Sequence, residues 1–296
     1  MNERLTPGGR LRAALKEERP LQVAGAINAY AAILAEAVGF RALYLSGAGV
    51  ANASHGLPDL GMTSLTEVLD EARRLTAATS LPLLVDADTG FGCALMIGRT
   101  VRELERAGAA GLHLEDQVTA KRCGHRPGKA LVDAAEMVDR IKAAVDARTD
   151  PAFVIMARTD AVTVEGLPAA VERACRYRDA GADMLFPEAL GELDHYRQFA
   201  EATGIPILAN LTEFGRTPLF TLEALRGAGV ALALYPLSAF RAMSAAALRV
   251  YRTIREEGTQ QSVVDIMQSR DELYRFLGYH AWEERLDRLF AREKKP

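Results

Sequence analysis

Short apolar runs alternate with longer stretches of helical periodicity along most of the chain. The runs occupy residues 23–25, 42–45, 83–85, 111–114, 154–157, 184–186, 207–209 and 232–234. Between them, stretches such as 65–78, 94–107, 134–147 and 168–180 place apolar residues three or four positions apart. Short apolar runs are typical of buried strands, and the wider spacing is typical of amphipathic helices. Their alternation predicts a parallel sheet covered by helices.

Glycines end several of the predicted helices just before the next strand, namely Gly39, Gly108, Gly181, Gly204 and Gly229. Glycine suits the left-handed position that ends a helix. Eight strand and helix units in a row predict an α/β fold of the (β/α)8 TIM-barrel type. A doubly wound open sheet is the alternative, but no G-x-G-x-x-G turn follows the first strand.

Domain boundaries follow from the same pattern. We expect residues 1–243 to form the barrel and its catalytic site. Residues 244–296 are charged and helical in pattern, so we expect a C-terminal extension that packs on the barrel or on a neighbouring subunit.

Composition excludes several classes of protein. The chain has 296 residues, is 49% hydrophobic and carries a net charge of −3, so it can bury a large core and shows no basic excess for nucleic acid or an anionic membrane. Cys93, Cys123 and Cys175 are too scattered for a disulfide framework or a structural zinc site. No signal peptide or long apolar segment is evident, so we expect a cytoplasmic protein.

Polar residues gather where the predicted strands end, which is where barrels of this kind hold their active sites. Because alternate strand residues share a face, one interior surface is predicted to combine them. The pairs are Tyr44 with Ser46, Asp86 with Asp88, His113 with Glu115, Met156 with Arg158, Phe186 with Glu188, and Leu234 with Pro236.

Several carboxylates at one barrel mouth would repel each other unless a hard cation neutralised them. Magnesium is usually held by one or two protein carboxylates, with substrate and water completing its shell, which suits Asp86 and Asp88. The alternative is that these aspartates only cap helices. His113 is predicted to be an interior residue, since magnesium prefers oxygen ligands.

A cysteine lies among basic residues in a loop after the acidic pair Glu115-Asp116, in the segment Lys121-Arg122-Cys123-Gly124-His125. Cationic neighbours favour a thiolate, so we expect a thiol that exchanges its proton readily. The alternative is a solvated surface loop with an incidental cysteine. Gly124, Pro127 and Gly128 would let this loop act as a lid.

These segments together resemble a known superfamily, that of isocitrate lyase and phosphoenolpyruvate mutase. The resemblance rests on residues 121–125, on Asp-Ala-Asp-Thr-Gly-Phe-Gly at 86–92 and on Pro58-Asp59, and it runs essentially end to end. It implies a Mg²⁺-dependent barrel in a homotetramer that exchanges C-terminal helices. The implied reaction splits the tricarboxylate (2S,3R)-2-methylisocitrate into pyruvate and succinate, a step of the 2-methylcitrate cycle of propionate breakdown.

The resemblance also implies roles for individual residues. Asp59, Asp86, Asp88 and Glu115 would hold the metal, directly or through water, and Cys123 would protonate the succinate carbon. For the hydroxyl proton we choose Tyr44, which strand alternation aims inward beside Ser46. Substrate contacts are expected from Ser46, Gly47, Ala48, Cys123, Gly124, His125, Arg158, Glu188, Asn210, Leu211, Thr212, Arg241 and Arg270. Phe186, Leu234 and Pro236 would leave room for the methyl group. Ala48 stands where the family tends to have glycine, and alanine tolerates fewer backbone conformations.

Other functions remain open at this point. Isocitrate lyases are usually longer and carry lysine at the position of Arg122, and family members that act on carbon–phosphorus bonds usually lack the Cys-Gly-His loop. An oxaloacetate decarboxylase relative or a non-catalytic ligand-binding descendant is also possible, although a degenerate site should have lost carboxylates or the cysteine. A Schiff-base aldolase would need a buried lysine at a strand end, whereas Lys121 and Lys129 lie in the loop.

Overall fold

The computed structural model describes residues 5–291. Its strands are β1 Leu21–Gly25, β2 Ala42–Leu45, β3 Leu83–Asp86, β4 Gly111–Glu115, β5 Val154–Thr159, β6 Met184–Pro187, β7 Leu208–Asn210 and β8 Leu232–Tyr235. Its helices are α1 Pro7–Glu17, α2 Ala29–Ala37, α3 Gly47–Gly49, α4 Leu65–Ala78, α5 Ala94–Arg106, α6 Ala134–Ala147, α7 Leu167–Asp179, α8 Leu193–Thr203, α9 Leu222–Gly227, α10 Ser238–Glu257, α11 Arg270–Leu277 and α12 Tyr279–Ala291. A π-helical turn (Val50–Ser54) and two 3₁₀ turns (Ala161–Thr163, Gln261–Ile266) complete the described elements.

The strands form a closed parallel barrel. Their hydrogen-bonded order is β6-β5-β4-β3-β2-β1-β8-β7, and each pairing is parallel. A parallel bridge between Leu185 and Ile207 joins the two ends of this order, with the Leu185 amide donating to the Pro206 carbonyl at 2.9 Å. The (β/α)8 prediction is confirmed, and the open doubly wound sheet is excluded.

Local sequence signals fix most element boundaries. Helices α4 and α6 begin and end at the predicted residues, and Ser64 with Glu67 forms a reciprocal capping box at the start of α4. The predicted helix-ending glycines have positive φ, for example 96° at Gly39 and 106° at Gly181. Several strands extend one or two residues beyond their apolar run into the polar residues that follow it, as β4 does at Glu115.

Alternation along the strands separates two apolar layers. Side chains such as Val23, Tyr44, Met156, Phe186 and Leu234 fill the barrel interior, while the alternate residues pack under the helices. Each strand therefore presents the predicted face to the interior. The same alternation aims the last interior-facing residues of the strands at the C-terminal mouth.

Helix α1 closes the opposite, N-terminal end of the barrel. Its Leu11, Ala14 and Leu15 join the interior cluster beside the first residues of the strands, and Leu11 is fully buried. Arg12 fixes the helix from outside, donating to the Ala152 carbonyl at 2.9 Å and pairing with Asp183 at 2.8 Å. This closing role was not anticipated from the sequence.

The described chain divides into two compact units, with the boundary between Phe240 and Arg241. The first unit contains the barrel and the second the C-terminal helices, so the predicted helical extension is present. In the second unit large apolar side chains are exposed, among them Tyr251 at 69% and Trp282 at 65%. None of the helices within residues 5–291 has the length and apolar character needed to cross a membrane.

Candidate active site

Two aspartates after β3 converge on the backbone of Gly47. The Gly47 amide donates to Asp86 Oδ2 at 3.0 Å, and a Cβ atom on Gly47 would lie 3.1 Å from Asp86 Oδ2 and 3.3 Å from Asp88 Oδ1. Asp88 reaches this position through a left-handed backbone with φ 47°, since the strand has already ended at Asp86. Strand alternation therefore predicted the convergence but not the turn that produces it. The glycine leaves the space between the two carboxylates open.

Lys121 links this pair to Asp59. Its Nζ lies 2.6 Å from Asp59 Oδ1 and 2.5 Å from Asp88 Oδ1, and its side chain is 5% exposed. Burial lowers the pKa of Lys121, but the surrounding carboxylates, Asp88 foremost, outweigh burial and raise that pKa well above its usual value. Sequence reasoning treated Lys121 only as a basic neighbour of Cys123. The acidic strand end a few residues earlier was the available signal of an ion pair.

Buried carboxyls near Gly47 fit a hard divalent cation. Burial and the charge of Asp86 raise the pKa of Asp88 to about 6, which shows the cost of placing the two carboxylates together. Burial also raises the pKa of Glu115 well above its usual value, and Glu115 Oε1 has no hydrogen-bond partner among the described residues. Within the same residues no three His, Cys, Asp or Glu side chains form a complete metal cage. Few protein ligands and oxygen donors are what Mg²⁺ accepts.

Arg158 is the centre of a second charged cluster on β5 and β6. Its Nε lies 3.0 Å from Asp160 Oδ2 and 3.3 Å from Glu115 Oε2, and its Nη2 lies 3.1 Å from Glu188 Oε2. Burial raises the pKa of Glu188, but Arg158 and His125 outweigh it and hold that pKa well below its usual range. Three carboxylates thus hold the guanidinium through its Nε and Nη2 atoms.

The cysteine loop lies closed over this second cluster. A Cβ atom on Gly124 would be 2.4 Å from Arg158 Nη2, so only glycine allows the observed approach. His125 Nε2 lies 3.2 Å from Glu188 Oε1, while its Nδ1 accepts from the Arg216 amide at 3.0 Å. A neutral His125 therefore carries its proton on Nε2, facing Glu188.

Lys129 fastens the far end of the loop, donating to the Gly124 carbonyl at 2.6 Å and pairing with Asp160 at 2.7 Å. The side chains of Lys121 and Lys129 are therefore both buried in ion pairs. A Schiff-base aldolase needs a lysine that acts as a neutral amine, so neither residue suits that alternative.

The Cys123 thiol is protonated in this setting. Burial raises its pKa, and the carboxylates of Asp59 and Glu188 add to the effect, while the His125 amide and Arg158 oppose it. The expectation that basic neighbours would favour a thiolate is wrong. Lys121 pairs with Asp59 and Asp88 instead of the thiol, and burial is the largest influence on the Cys123 pKa. A protonated thiol is the form that can donate a proton.

Tyr44 is held by two polar partners inside the barrel. Its Oη lies 2.8 Å from His113 Nε2 and 3.3 Å from Asp86 Oδ2, and the Tyr44 and His113 rings are stacked. Burial lowers the pKa of His113 to about 4, so the imidazole is neutral at pH 7. Burial, followed by the charge of Asp86, raises the pKa of Tyr44 well above 10. This environment disfavours a phenolate and weakens the prediction that Tyr44 is the hydroxyl base.

The remaining predicted residues fall into three groups. Ser46 caps the turn that contains Gly47 and Ala48, and Ala48 is helical there, so alanine brings no strain.

Around the second cluster, Asn210 Nδ2 lies 3.4 Å from both Glu188 oxygens, and Leu211 and Thr212 are buried just after β7. Phe186 and Leu234 are buried in the barrel interior and Pro236 is buried after β8. Arg241 and Arg270 belong to the second unit, and their part in the site stays a prediction.

Known proteins are similar to this chain in sequence and in fold. Residues 11–255 match the family model described as phosphoenolpyruvate phosphomutase. The 2-methylisocitrate lyase of Escherichia coli K12 is 63% identical over 290 residues, which cover 98% of each chain.

Solved structures place the fold in the same group. A crystal structure of 2,3-dimethylmalate lyase, described as a member of the PEP mutase/isocitrate lyase superfamily, has a TM-score of 0.87 and 34% identity, covering 95% of this chain and 94% of the other. Phosphonopyruvate hydrolase in complex with oxalate and Mg²⁺ has a TM-score of 0.83 and 30% identity, covering 98% and 100%.

Proposed function

The chain belongs to the phosphoenolpyruvate phosphomutase family and is similar over nearly its whole length to a protein named 2-methylisocitrate lyase, and from this we propose that it cleaves (2S,3R)-2-methylisocitrate into pyruvate and succinate. The observation that carries the proposal is the position of Cys123, on a loop whose Lys121 contacts Asp59 and Asp88 and whose Gly124 lies against Arg158. The loop supplies a proton donor, and the two clusters supply binding groups for a charged substrate.

In the proposed enzyme Asp86 and Asp88 would hold the metal, with Asp59 and Glu115 acting directly or through bound water. A bound Mg²⁺ would stabilise negative charge on the hydroxyl and neighbouring carboxylate oxygens of the substrate. A complex of the related phosphonopyruvate hydrolase contains Mg²⁺, which supports this assignment. The unpartnered Glu115 oxygen and the crowded aspartates support it independently.

Cleavage leaves a pair of electrons on the carbon that becomes part of succinate. The Cys123 Sγ–H donates its proton to that carbon, and the thiolate left behind is stabilised by Arg158 and the His125 amide. Arg158, Asn210 and Thr212 bind the succinate half, Glu188 positions Arg158 and Asn210 there, and Arg241 and Arg270 are further carboxylate ligands. Tyr44 takes the substrate hydroxyl proton while its own phenol proton passes to His113 Nε2, 2.8 Å away, so that no phenolate forms.

The methyl group is accommodated beside Phe186, Leu234 and Pro236. One methyl group is worth only about 1 to 3 kcal/mol of discrimination in a hydrophobic pocket. Isocitrate, which lacks this methyl, is therefore a poorer substrate rather than an excluded one. This places an isocitrate lyase activity second.

The cellular setting is proposed on the same basis. The exposed apolar side chains of the second unit, such as Tyr251, Trp282 and Leu286, form a surface suited to neighbouring subunits. We assign residues 244–296 to contacts within a homotetramer, in a cytoplasmic enzyme of the 2-methylcitrate cycle. Light scattering of the purified protein coupled to size exclusion tests the tetramer, and a monomer would contradict it.

The activity is tested by incubating the protein with 2-methylisocitrate and measuring pyruvate and succinate. We expect the two products in equal amounts. Thorough removal of metal by a chelator should abolish turnover, and added Mg²⁺ should restore it. Activity that survives metal removal would contradict the magnesium assignment, and absence of both products would contradict the proposed reaction.

A further inference from the structure

A cavity lies beside the cysteine loop. It has a volume of about 320 Å³ and is lined by Arg126, Lys129 and Arg216 together with Thr163 and Val164, among others. No acidic residue lines it. None of the roles proposed above uses this cavity.

Residues that line the cavity are hydrogen-bonded to the turn that carries Cys123. The Arg126 amide donates to the Cys123 carbonyl at 2.9 Å, and the Arg216 amide donates to His125 Nδ1 at 3.0 Å. Lys129 contacts the Gly124 carbonyl at 2.6 Å. Each basic residue of the cavity is therefore hydrogen-bonded to the turn that carries the thiol. A ligand in the cavity would lie directly outside the closed loop.

Two of the three positive charges are uncompensated. Lys129 pairs with Asp160, but neither Arg126 nor Arg216 forms an ion pair with any carboxylate of the described chain, and both residues are exposed. The acidic groups on neighbouring segments are already engaged. Glu165 pairs with Arg173, and Asp160 also pairs with Arg158.

Inside the loop the charge has the opposite sign. Beneath the loop, the carboxylates of Glu115, Asp160 and Glu188 all lie within 3.3 Å of the single guanidinium of Arg158. A carboxylate ligand that approaches the barrel mouth is repelled by these groups until it reaches its binding partners. Unpaired cations at the rim counteract this repulsion and raise the local concentration of anions.

We propose that Arg126 and Arg216 form a carboxylate-binding subsite outside the cysteine loop, which holds the anionic substrate before it passes the loop and the dicarboxylate product after it leaves. The identity of the carboxylates rests on the proposed function. The affinity of Arg126 and Arg216 for carboxylates is independent of that function.

The subsite is tested first without any enzymatic turnover. Cys123 is alkylated at low ionic strength with iodoacetate, an anion, and with neutral iodoacetamide, and the rates at each cysteine are measured by peptide mass spectrometry. Both reagents react with the same thiolate, so the ratio of the two rates does not depend on the thiolate fraction. The ratio reports how strongly the surroundings of the cysteine favour the carboxylate reagent over the neutral one. Cys93, which is exposed and outside the cavity, is the internal control.

In water, each unit charge about 10 Å from the thiol changes the rate at which a singly charged anion encounters it about twofold. Arg126→Gln combined with Arg216→Gln should therefore lower the ratio at Cys123 about fourfold and leave it unchanged at Cys93. The difference should vanish at high salt. Lys142→Gln, which removes an exposed charge on α6, is the matched control and should change neither ratio. An unchanged ratio at Cys123 in the double variant would overturn the subsite.

Turnover provides the second readout. For a trianionic substrate, the double variant should lower kcat/KM at low ionic strength by an order of magnitude or more, with kcat unchanged. An unchanged kcat/KM would show that the substrate does not use the subsite. A wild-type protein that cleaves no 2-methylisocitrate would refute the proposed function, and the alkylation ratio would still decide whether the rim binds carboxylates.

Discussion

The two ends of the barrel are built from the same strands but by opposite rules. At the N-terminal end, Leu11 and Leu15 of α1 close the interior with apolar contacts, and each is at least nine-tenths buried. At the C-terminal end the interior holds Asp86, Glu115 and Glu188, all buried and close to other charges. At the N-terminal end, burial of apolar side chains stabilises the fold. At the C-terminal end, burial of charged groups offsets part of that stabilisation, because these groups lose their hydration.

This contrast separates stability from function along the strand axis. The N-terminal end is packed with apolar side chains, whereas the C-terminal end holds the carboxylates to which we assign a cation and a substrate. Substitutions at the two ends should therefore change different measurements.

The largest effect is expected from Cys123→Ser at the polar end. A hydroxyl is a far weaker acid than a thiol, so kcat should fall at least about 10³-fold, or about 4 kcal/mol in the barrier. The melting temperature and Mg²⁺ binding should be nearly unchanged. Cys93→Ser is the matched control and should keep full turnover. Equal turnover in the Cys123 variant would remove the thiol from the reaction.

Leu11→Ala tests the apolar end. Leu11 is fully buried, and removing its side chain leaves a cavity beneath the strands, so we expect about 3 kcal/mol of lost stability, read as a lower melting temperature. The kcat of the folded fraction should stay near the wild-type value. Leu95→Ala, at a side chain that is 84% exposed, should leave the melting temperature almost unchanged. An equal loss in both variants would mean that α1 does not close the barrel.

Gly124→Ala sharpens the contrast with a purely steric change. The new Cβ atom would meet Arg158 Nη2 at 2.4 Å, so the loop must move away from the second cluster. A misplacement of about 1 Å can cost 10²-fold, and we expect a drop of that order in kcat/KM with little change in melting temperature. Gly191→Ala, where a Cβ atom would meet nothing within 4 Å, is the control. Wild-type kcat/KM in the Gly124 variant would show that loop closure is not needed.

Ala48→Gly should have the smallest effect. Ala48 lies in a right-handed turn that alanine adopts readily, so glycine offers no conformational advantage and costs at most about 1 kcal/mol. We expect kcat/KM to stay within about threefold of wild type. A large gain would mean that alanine limits the backbone contact after all.

Local patterns in the sequence predicted the fold almost completely. Helices α4 and α6 begin and end where their periodicity does, and the strand alternation placed Tyr44, Met156 and Phe186 in the interior. These features depend on neighbouring residues along the chain. The role of α1 was missed because its amphipathic pattern does not reveal which end of a barrel it covers.

The charges of the site were harder to predict because they depend on partners that are distant in sequence. Lys121 neutralises Asp59, which lies 62 positions earlier, and this contact removes its influence from Cys123. The direction of the cysteine pKa shift was therefore predicted with the wrong sign. The left-handed turn at Asp88 was also invisible to an argument from strand alternation.

The most direct test of the account is a competition between two substrates. The protein is supplied with equal concentrations of 2-methylisocitrate and isocitrate in the presence of Mg²⁺, and the released 2-oxo acids are identified. The account predicts that pyruvate is formed faster than glyoxylate, by a factor of about 10 or more, as one well-fitted methyl group allows. Glyoxylate as the main product, or release of neither acid, would contradict it.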